Sequence, residues 1–322
     1  MTAQRVLVTG GGGYLGSQVV AALAQRGLPA VVCLDVRELP AERRVPGVVH
    51  ATADIRTRAP LEALLREHAI DAVVHLAAIV TPGRRADRDF EYQVDVVGTK
   101  NVLDACVAAG VGQVVISSSG AAYGYHADNP AWLSEDDPVR GNQEFAYSWH
   151  KRLVEEMLAE YRQSAPQLRQ TILRIGTILG ATVANQITAL FDKPRPLAIA
   201  GSDSPFVFIW DQDVAGAILH ALGDGPPGIY NVAGDGALTI HDIAARMGKR
   251  CRVLPPALLQ AALWLGKRFG LTQYGPEQLR FLRWRPVLDN TRLKEVFGYR
   301  PQKTSAEVFD FWWRSRRARG TG

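Results

Sequence analysis

Thr9-Gly10-Gly11-Gly12-Gly13-Tyr14-Leu15-Gly16 decides how this chain folds. The glycines recur as T-G-x-x-G-x-x-G, after a strand-like run at 5–8 and at the head of a helix-like stretch at 13–26. Glycine tolerates the tight turn and lets the backbone approach a pyrophosphate. The helix that follows presents free N–H groups and a partial positive charge. Asp35 ends the next strand-like run, 30–34, and lies 19 residues beyond Gly16. A carboxylate there accepts hydrogen bonds from both ribose hydroxyls and repels a 2′-phosphate. The pattern predicts a dinucleotide site for NAD in preference to NADP. Gly10, Gly13, Tyr14, Leu15 and Gly16 face the pyrophosphate and Asp35 the ribose. Arg37, two residues further, is the feature that leans toward a phosphate.

Outward from this loop, apolar runs alternate with helical patterns. Further strands are expected at 48–51, 72–76, 113–117 and 170–175, and helices at 60–68, 89–109 and 147–163. Several strand runs are β-branched and poor in polar residues, as strands covered on both faces are. The alternation reads as βαβ units: an α/β, Rossmann-type, doubly wound parallel sheet. Beyond Thr177 the pattern loosens around Pro194, Pro196 and Pro205. A strand at 228–232 and helices at 240–247 and 257–269 follow. The expected division is a nucleotide domain over 1–175, with a strand returning near 228–233, and a smaller C-terminal substrate lobe with a tail over 176–322. Ligands of such sheets bind beyond the carboxyl ends of the strands.

Two motifs stand at such ends. Tyr147-Ser148-Trp149-His150-Lys151 has Y-x-x-x-K spacing on a predicted helix, so Tyr147 and Lys151 share a face. An ammonium beside a phenol favours the phenolate, lowering a pKa that starts near ~10. The tyrosine then moves a proton to or from a substrate oxygen. Ser117-Ser118-Ser119-Gly120-Ala121-Ala122-Tyr123-Gly124 follows the fifth strand and offers a hydroxyl to the same oxygen.

Composition sets the outer bounds. The 322 residues are 47% hydrophobic and 21% charged, with 37 Lys and Arg against 32 Asp and Glu, a net charge of +5. Cys33, Cys106 and Cys251 lie far apart and no Cys/His spacing suits zinc, so neither disulfides nor a metal are expected. The apolar run at 257–265 is far shorter than the ~18 residues of a membrane span. No signal-peptide pattern precedes the first strand, so a cytoplasmic setting is expected. Arg314, Arg316, Arg317 and Arg319 read as a solvated tail, so no nucleic-acid partner is expected. Leu258, Leu259, Ala262, Leu263, Trp264 and Leu265, followed by Phe269, Tyr274, Phe281 and Trp284, read first as a packed lobe or dimer contact. Their second reading is a pocket for a lipophilic substrate. Lys267 and Arg268 read as a solvated helix end with no membrane contact. Trp312 and Trp313 are expected to anchor the last helix.

From about residue 4 to 311 the chain resembles the extended short-chain dehydrogenase/reductase superfamily, of the NAD-dependent epimerase/dehydratase type. Besides the motifs above, Asp54-Ile55-Arg56, His75-Leu76-Ala77-Ala78 and Val97-Gly98-Thr99 carry the likeness. So do Arg174 to Gly180, Asp211 to Ala215, Tyr230-Asn231-Val232 and Phe297-Gly298-Tyr299-Arg300-Pro301. The resemblance implies Tyr147 as acid/base, Lys151 as its tuner and a ribose ligand, and Ser119 as partner of the substrate oxygen. It implies cofactor contacts at Asp54, Ile55, Leu76, Ala77 and Ala78, a substrate side at Thr81, Gly120, Ala121 and Thr177, and a homodimer. Departures also speak. Gly120-Ala121 stands where the dehydratases carry an acidic pair. Asp95 replaces the usual asparagine, His150 a frequent serine, and Thr177 the asparagine of nucleotide-sugar enzymes. The R-x-G-D element is missing, with Arg285-Pro286-Val287-Leu288-Asp289 nearby. The expected function is an NAD-dependent oxidoreductase acting on a small-molecule alcohol or carbonyl. The alternatives are a nucleotide-sugar 4-epimerase that retains NAD and a non-catalytic NAD(H)-binding module.

Overall fold

A computed structural model describes residues 4–80, 87–269 and 275–320. The chain opens with β1 (Arg5–Thr9), α1 (Tyr14–Gln25), β2 (Ala30–Asp35), β3 (Val49–Thr52), α2 (Arg58–Glu67) and β4 (Ala72–His75). It continues through α3 (Arg88–Tyr92), α4 (Gly98–Ala109), β5 (Gln113–Ser119), α5 (Ala146–Ser164) and β6 (Arg169–Ile175). Then come β7 (Thr177–Leu179), α6 (Gln186–Phe191), β8 (Leu197–Ile199), β9 (Phe208–Trp210), α7 (Asp211–Leu222) and β10 (Gly228–Val232). The last elements are α8 (Ile240–Arg246), β11 (Arg252–Leu254), α9 (Pro256–Arg268), α10 (Gln278–Arg283), α11 (Thr291–Glu295) and α12 (Ser305–Ala318).

Seven parallel strands make the central sheet, in the order β10-β6-β5-β4-β1-β2-β3. The order reverses between β1 and β4, which opens the ligand crevice there. Strand side chains alternate between two cores. Val6 and Val8 join Val19 and Leu23 of α1 and Val214 and Ile218 of α7 on one face. Leu7 joins Leu61 of α2, Leu103 of α4 and Val154 and Leu158 of α5 on the other. Each such side chain stabilises the fold by roughly 1.5–3 kcal/mol on burial. The strands form where the apolar runs place them, and the doubly wound sheet is as expected.

Two expectations need correction. The helix expected at 89–109 is continuous but not uniform: a π turn at Gln93–Val97 joins α3 to α4, and Asp95 and Val96 within it are buried. Its wider turn changes which residues face the sheet, as π bulges at functional sites do. The apolar stretch at 257–284 does not supply the core of the C-terminal half. That core is Phe191, Phe206, Phe208, Phe309 and Trp312, whereas α9 has no buried residue. Aromatic edges and faces already fill the space between β9 and α12, leaving α9 outside. Tyr274 lies outside the described residues. Trp312 is fully buried and donates its indole N–H to the Val183 carbonyl at 3.0 Å, anchoring α12 as expected. Among the described residues no helix is long and apolar enough to cross a membrane.

The glycine loop sits against β4. Gly10 has φ +68°, and a Cβ there would lie 2.8 Å from the Ala77 amide nitrogen. A Cβ on Gly16 would overlap the Gly10 carbonyl oxygen. The Gly16→Ala variant is therefore expected to lose roughly 1–3 kcal/mol of stability through overpacking, with loss of NAD binding. Thermal unfolding and fluorescence titration with NAD measure both; wild-type affinity in the variant would refute the close approach.

Candidate active site

Gly13 caps α1 without any side-chain hydrogen bond, so the first N–H groups of the helix stay open to an anion. Asp35, at the end of β2, turns back on this loop. Its Oδ2 accepts the Gly12 N–H at 3.0 Å and its Oδ1 accepts the Arg37 N–H at 3.2 Å. Arg43, unnoticed in the sequence, donates to the Gly12 carbonyl at 2.7 Å and brings a cation to the loop. Leu15 packs into the core under α1. Tyr14 does more than line the loop: its hydroxyl donates to Asp211 Oδ2 at 2.5 Å and ties α1 to α7. Burial, then this bond, pushes its phenol up to about 12. Asp54 is held by Arg56, through its backbone N–H at 2.9 Å and its guanidinium at 2.6 Å, which lowers its pKa. Ile55 is buried, and a Cβ on Gly98 would press on it. Leu76 donates its N–H to the Thr9 carbonyl at 3.2 Å, so the segment holding Leu76, Ala77 and Ala78 lies beside β1.

The three expected catalytic residues come together. β5 delivers Ser119 in extended backbone, and a 3₁₀ turn over Gly120–Tyr123 follows. The Tyr147 hydroxyl, in the first turn of α5, meets the Ser119 side chain in a hydrogen bond. Lys151 donates to the Ser117 carbonyl at 2.7 Å, and its Nζ lies 5.6 Å from the centre of the Tyr147 ring. The lysine does not lower the phenol as expected. Burial pushes Tyr147 up to about 12; the Ser119 bond opposes this and the Asp95 carboxylate adds to it. Burial also disfavours the charge on Lys151, against the pull of Asp95 and Glu155. The ammonium is turned to a carbonyl and is itself desolvated, so it offers the phenol little.

Behind this set, the two unusual residues are partners. His150 Nδ1 and Asp95 Oδ2 lie 3.0 Å apart, both buried. Asp95 Oδ1 accepts the Ile79 N–H at 2.8 Å, fixing the chain that leaves β4. An asparagine serves that second contact equally well, so the histidine is what gives the carboxylate its use. Tyr92 meets the His150 ring edge-on at 5.8 Å, and Glu91 is buried nearby. His75 spans the same layer, Nδ1 at 2.7 Å from Thr9 Oγ1 and Nε2 at 2.9 Å from Thr99 Oγ1.

A buried ion pair carries α5. Glu155, one turn beyond Lys151, receives both Nε and Nη2 of Arg174 in β6, at 2.9 and 2.6 Å from its Oε2. Ser118 donates to Glu155 at 2.5 Å, and Arg174 Nη1 donates to the Tyr123 hydroxyl at 2.8 Å. Gly120 and Ala121 are buried, and Leu288 covers Gly120. They bring no acid or base to the position of the dehydratase pair. Thr177 is half-buried in β7 and donates its N–H to Val207. Thr81 lies outside the described residues.

Arg285 completes the arrangement and was legible in the sequence only as part of a landmark. Its guanidinium lies 3.8 Å from the Phe206 ring centre and 5.3 Å from that of Phe281. It donates to the Ser204 carbonyl at 2.7 Å, and its Nε is buried without a hydrogen-bond partner. Among the described residues no carboxylate pairs with it. Burial pulls its pKa down to about 9, with only Tyr125 opposing. Tyr125 in turn feels both Tyr147 and the arginine.

Two outcomes follow. His150→Ala leaves a buried carboxylate without its ring and is expected to cost about 3 kcal/mol. Asp95→Asn keeps the Ile79 contact and is expected to cost about 1–2 kcal/mol. The double variant is expected to cost less than the sum. Urea unfolding measures all three, and full additivity would show the pair to be uncoupled. Burial, aided by Lys151, pulls His75 down to about 3. The unfolded chain, near ~6.5, then takes up its proton first as pH falls. Stability from neutral His75 is full above about pH 6.5 and drains toward pH 3. His75→Asn is expected to flatten this acid limb when urea unfolding at pH 7 and pH 4.5 is compared; an unchanged slope refutes it.

Comparison with known proteins places this geometry. A model of the NAD dependent epimerase/dehydratase family matches residues 6–233. An uncharacterized protein of Mycobacterium tuberculosis is 28% identical over 316 residues, 97% of this chain and 84% of that protein. The UDP-glucose 4-epimerase of Azospirillum brasilense is 35% identical over 218 residues, 62% of this chain and 60% of that enzyme. Among solved structures, the Thermus thermophilus UDP-glucose 4-epimerase in complex with NAD superposes with a TM-score of 0.73 at 27% identity. That alignment covers 97% of this chain and 99% of the other. With the glycine cradle, the Ser119/Tyr147/Lys151 set and the matched strand order in hand, the chain belongs to the NAD-dependent epimerase/dehydratase family of extended short-chain enzymes.

Proposed function

We propose that this enzyme interconverts an alcohol and a carbonyl on an anionic, nucleotide-sugar-like substrate, in the manner of a 4-epimerase that retains its NAD. The observation that carries this reading is Arg285: a half-buried arginine whose Nε is buried and unpartnered, neighbour to Tyr125, with no carboxylate partner among the described residues. A buried charge without a partner is costly, and an anionic ligand group removes that cost. A neutral lipophilic alcohol leaves it in place. The reading therefore moves from the plain alcohol dehydrogenase to the epimerase. The Azospirillum and Thermus relatives, both UDP-glucose 4-epimerases by name, support the same direction.

The residues present fit NAD. The Cβ-free cradle of Gly10, Gly13 and Gly16 would hold its pyrophosphate, Asp35 its ribose, and Lys151 and Tyr147 the reacting end. When bound, NAD supplies a reversible two-electron acceptor. The chain's own residues handle the substrate oxygen. Ser119 holds it, and the Tyr147 hydroxyl gives or takes its proton. The cycle uses both states of this hydroxyl: deprotonated to take the proton of the alcohol, protonated to return it to the carbonyl oxygen. Glycine and alanine at 120 and 121 offer no acid for water elimination, which argues against dehydration. Pairing into a homodimer through α4 and α5, whose Val107, Leu153 and Met157 stay half-buried, belongs to the same reading, in a cytoplasmic setting.

The test is cofactor stoichiometry with UDP-glucose, UDP-galactose and simple alcohols. Sugar interconversion is expected without added NAD and without net absorbance change at the nicotinamide band. Tyr147→Phe is expected to lose activity by about 10²–10⁴-fold while NAD still binds. Arg285→Ala and Arg285→Lys are expected to raise KM for the anionic substrate more than they lower kcat. Stoichiometric reduced cofactor from a neutral alcohol, untouched by the Arg285 variants, would overturn the reading.

A further inference from the structure

Helix α9 presents its apolar side to solvent. Leu258 is 57% exposed, Leu265 47% and Phe269 71%, with Trp264 at 57% beside them. Positions 258, 262, 265 and 269 repeat at i, i+4, i+7 and i+11, so they form one stripe along the helix. The opposite side, with Leu259, Leu263 and Gly266, is the half-buried one. A monomeric protein seldom leaves so continuous an apolar stripe in water without a use for it.

Charge indicates what covers the stripe. From Arg246 to Arg285 the sequence carries nine Lys and Arg residues and a single acid, Glu277. That excess exceeds the +5 of the whole chain, so the basic character is not a property of the terminal arginines alone. Glu277 is already engaged, 3.1 Å from Lys267. Arg250 and Arg252 are exposed just ahead of α9, next to exposed Val253, and Arg268 is exposed at its far end. Cations thus stand at both ends of an apolar stripe that includes a tryptophan. A second copy of the chain is disfavoured as occupant, because two-fold pairing would set this basic segment against itself. Helices with Trp, Phe and Leu on one side and cations along the margin lie in the plane of a lipid interface, and anionic headgroups draw the cations.

We propose that α9 and its basic margin seat this enzyme on an anionic lipid surface, with the apolar stripe in the headgroup–acyl boundary. The consequence for the site is positional. α10 packs on α9 and carries Phe281, whose ring meets Tyr125 edge-on at 5.3 Å. The lipid-facing helix therefore adjoins the side of the cleft where Arg285 waits, and docking sets the substrate opening beside the membrane. The proposal does not depend on which substrate the site takes.

The experiment is co-sedimentation of the full chain with vesicles of phosphatidylcholine alone or mixed with phosphatidylglycerol. Binding to the mixed vesicles is expected to exceed binding to phosphatidylcholine by about tenfold or more and to weaken with salt. Trp264 emission is expected to shift to the blue on binding, and Trp264→Phe to remove that component. The triple variant Leu258→Glu, Leu265→Glu and Phe269→Glu is expected to lose vesicle binding at least tenfold, with unchanged thermal unfolding because these side chains are exposed. Absence of binding to the mixed vesicles at low salt overturns the proposal. So does binding that survives the triple variant but fails on charge reversal at Arg250 and Arg252, which would be surface electrostatics without insertion. A concentration-dependent dimer, seen by sedimentation and dissolved by the triple variant, assigns the stripe to a second copy and also overturns it.

Discussion

The arrangement of this molecule hangs on one buried ion pair, Glu155 of α5 with Arg174 of β6. Two charges out of water are tolerated only when their remaining hydrogen-bonding capacity is also met. Here it is met on every side. Ser118 donates to the carboxylate, and Arg174 also reaches the Tyr123 hydroxyl and the Glu135 carbonyl. Tyr123 in turn donates toward Asn231 of β10, whose backbone N–H binds Glu135. The network therefore joins α5, the end of β5, the 3₁₀ turn, β6 and β10. Tyr147, His150 and Lys151 ride on α5, and Ser119 on β5. The distance between phenol and serine is thus set by a charge pair that touches neither.

Two arginines, Arg174 buried and Arg285 half-buried, stand in contrast. Arg174 is paired and its surroundings are complete. Arg285 is stacked between aromatic rings, bonded to the Ser204 carbonyl, and has a buried Nε without a partner. Folding supplies the counter-charge in the first case and, among the described residues, not in the second. The same contrast runs through the layer under the cofactor loop. His75 and Asp95 have their polar atoms matched by Thr9, Thr99, Ile79 and His150.

Much of this was legible in the residues. The glycine loop announces itself because its demands are local: a positive φ at Gly10 and space for the carbonyl beneath Gly16 concern neighbours in sequence. The strands follow from apolar runs that must be buried on two faces. Tyr147 and Lys151 are four apart on a helix, which is enough to put them on one side. The same reasoning found the helix at 89–109 but not its π turn, since a run of helix-compatible residues does not reveal where the register rotates. It also fell short at the phenol, which burial pushes up, with the Asp95 carboxylate adding to the rise.

By itself, then, the sequence determined the parallel α/β sheet, the glycine loop and the shared helix face of Tyr147 and Lys151, because each rests on short-range spacing and hydrophobic period. Tertiary structure alone decided that Asp95 and His150, 55 positions apart, answer one another. It alone left Arg285 without a carboxylate among the described residues and turned Leu258 and Leu265 of α9 outward although their pattern reads as core. Long-range pairing, burial of a given charge and the filling of a core by other residues depend on which surfaces meet. No local pattern records that.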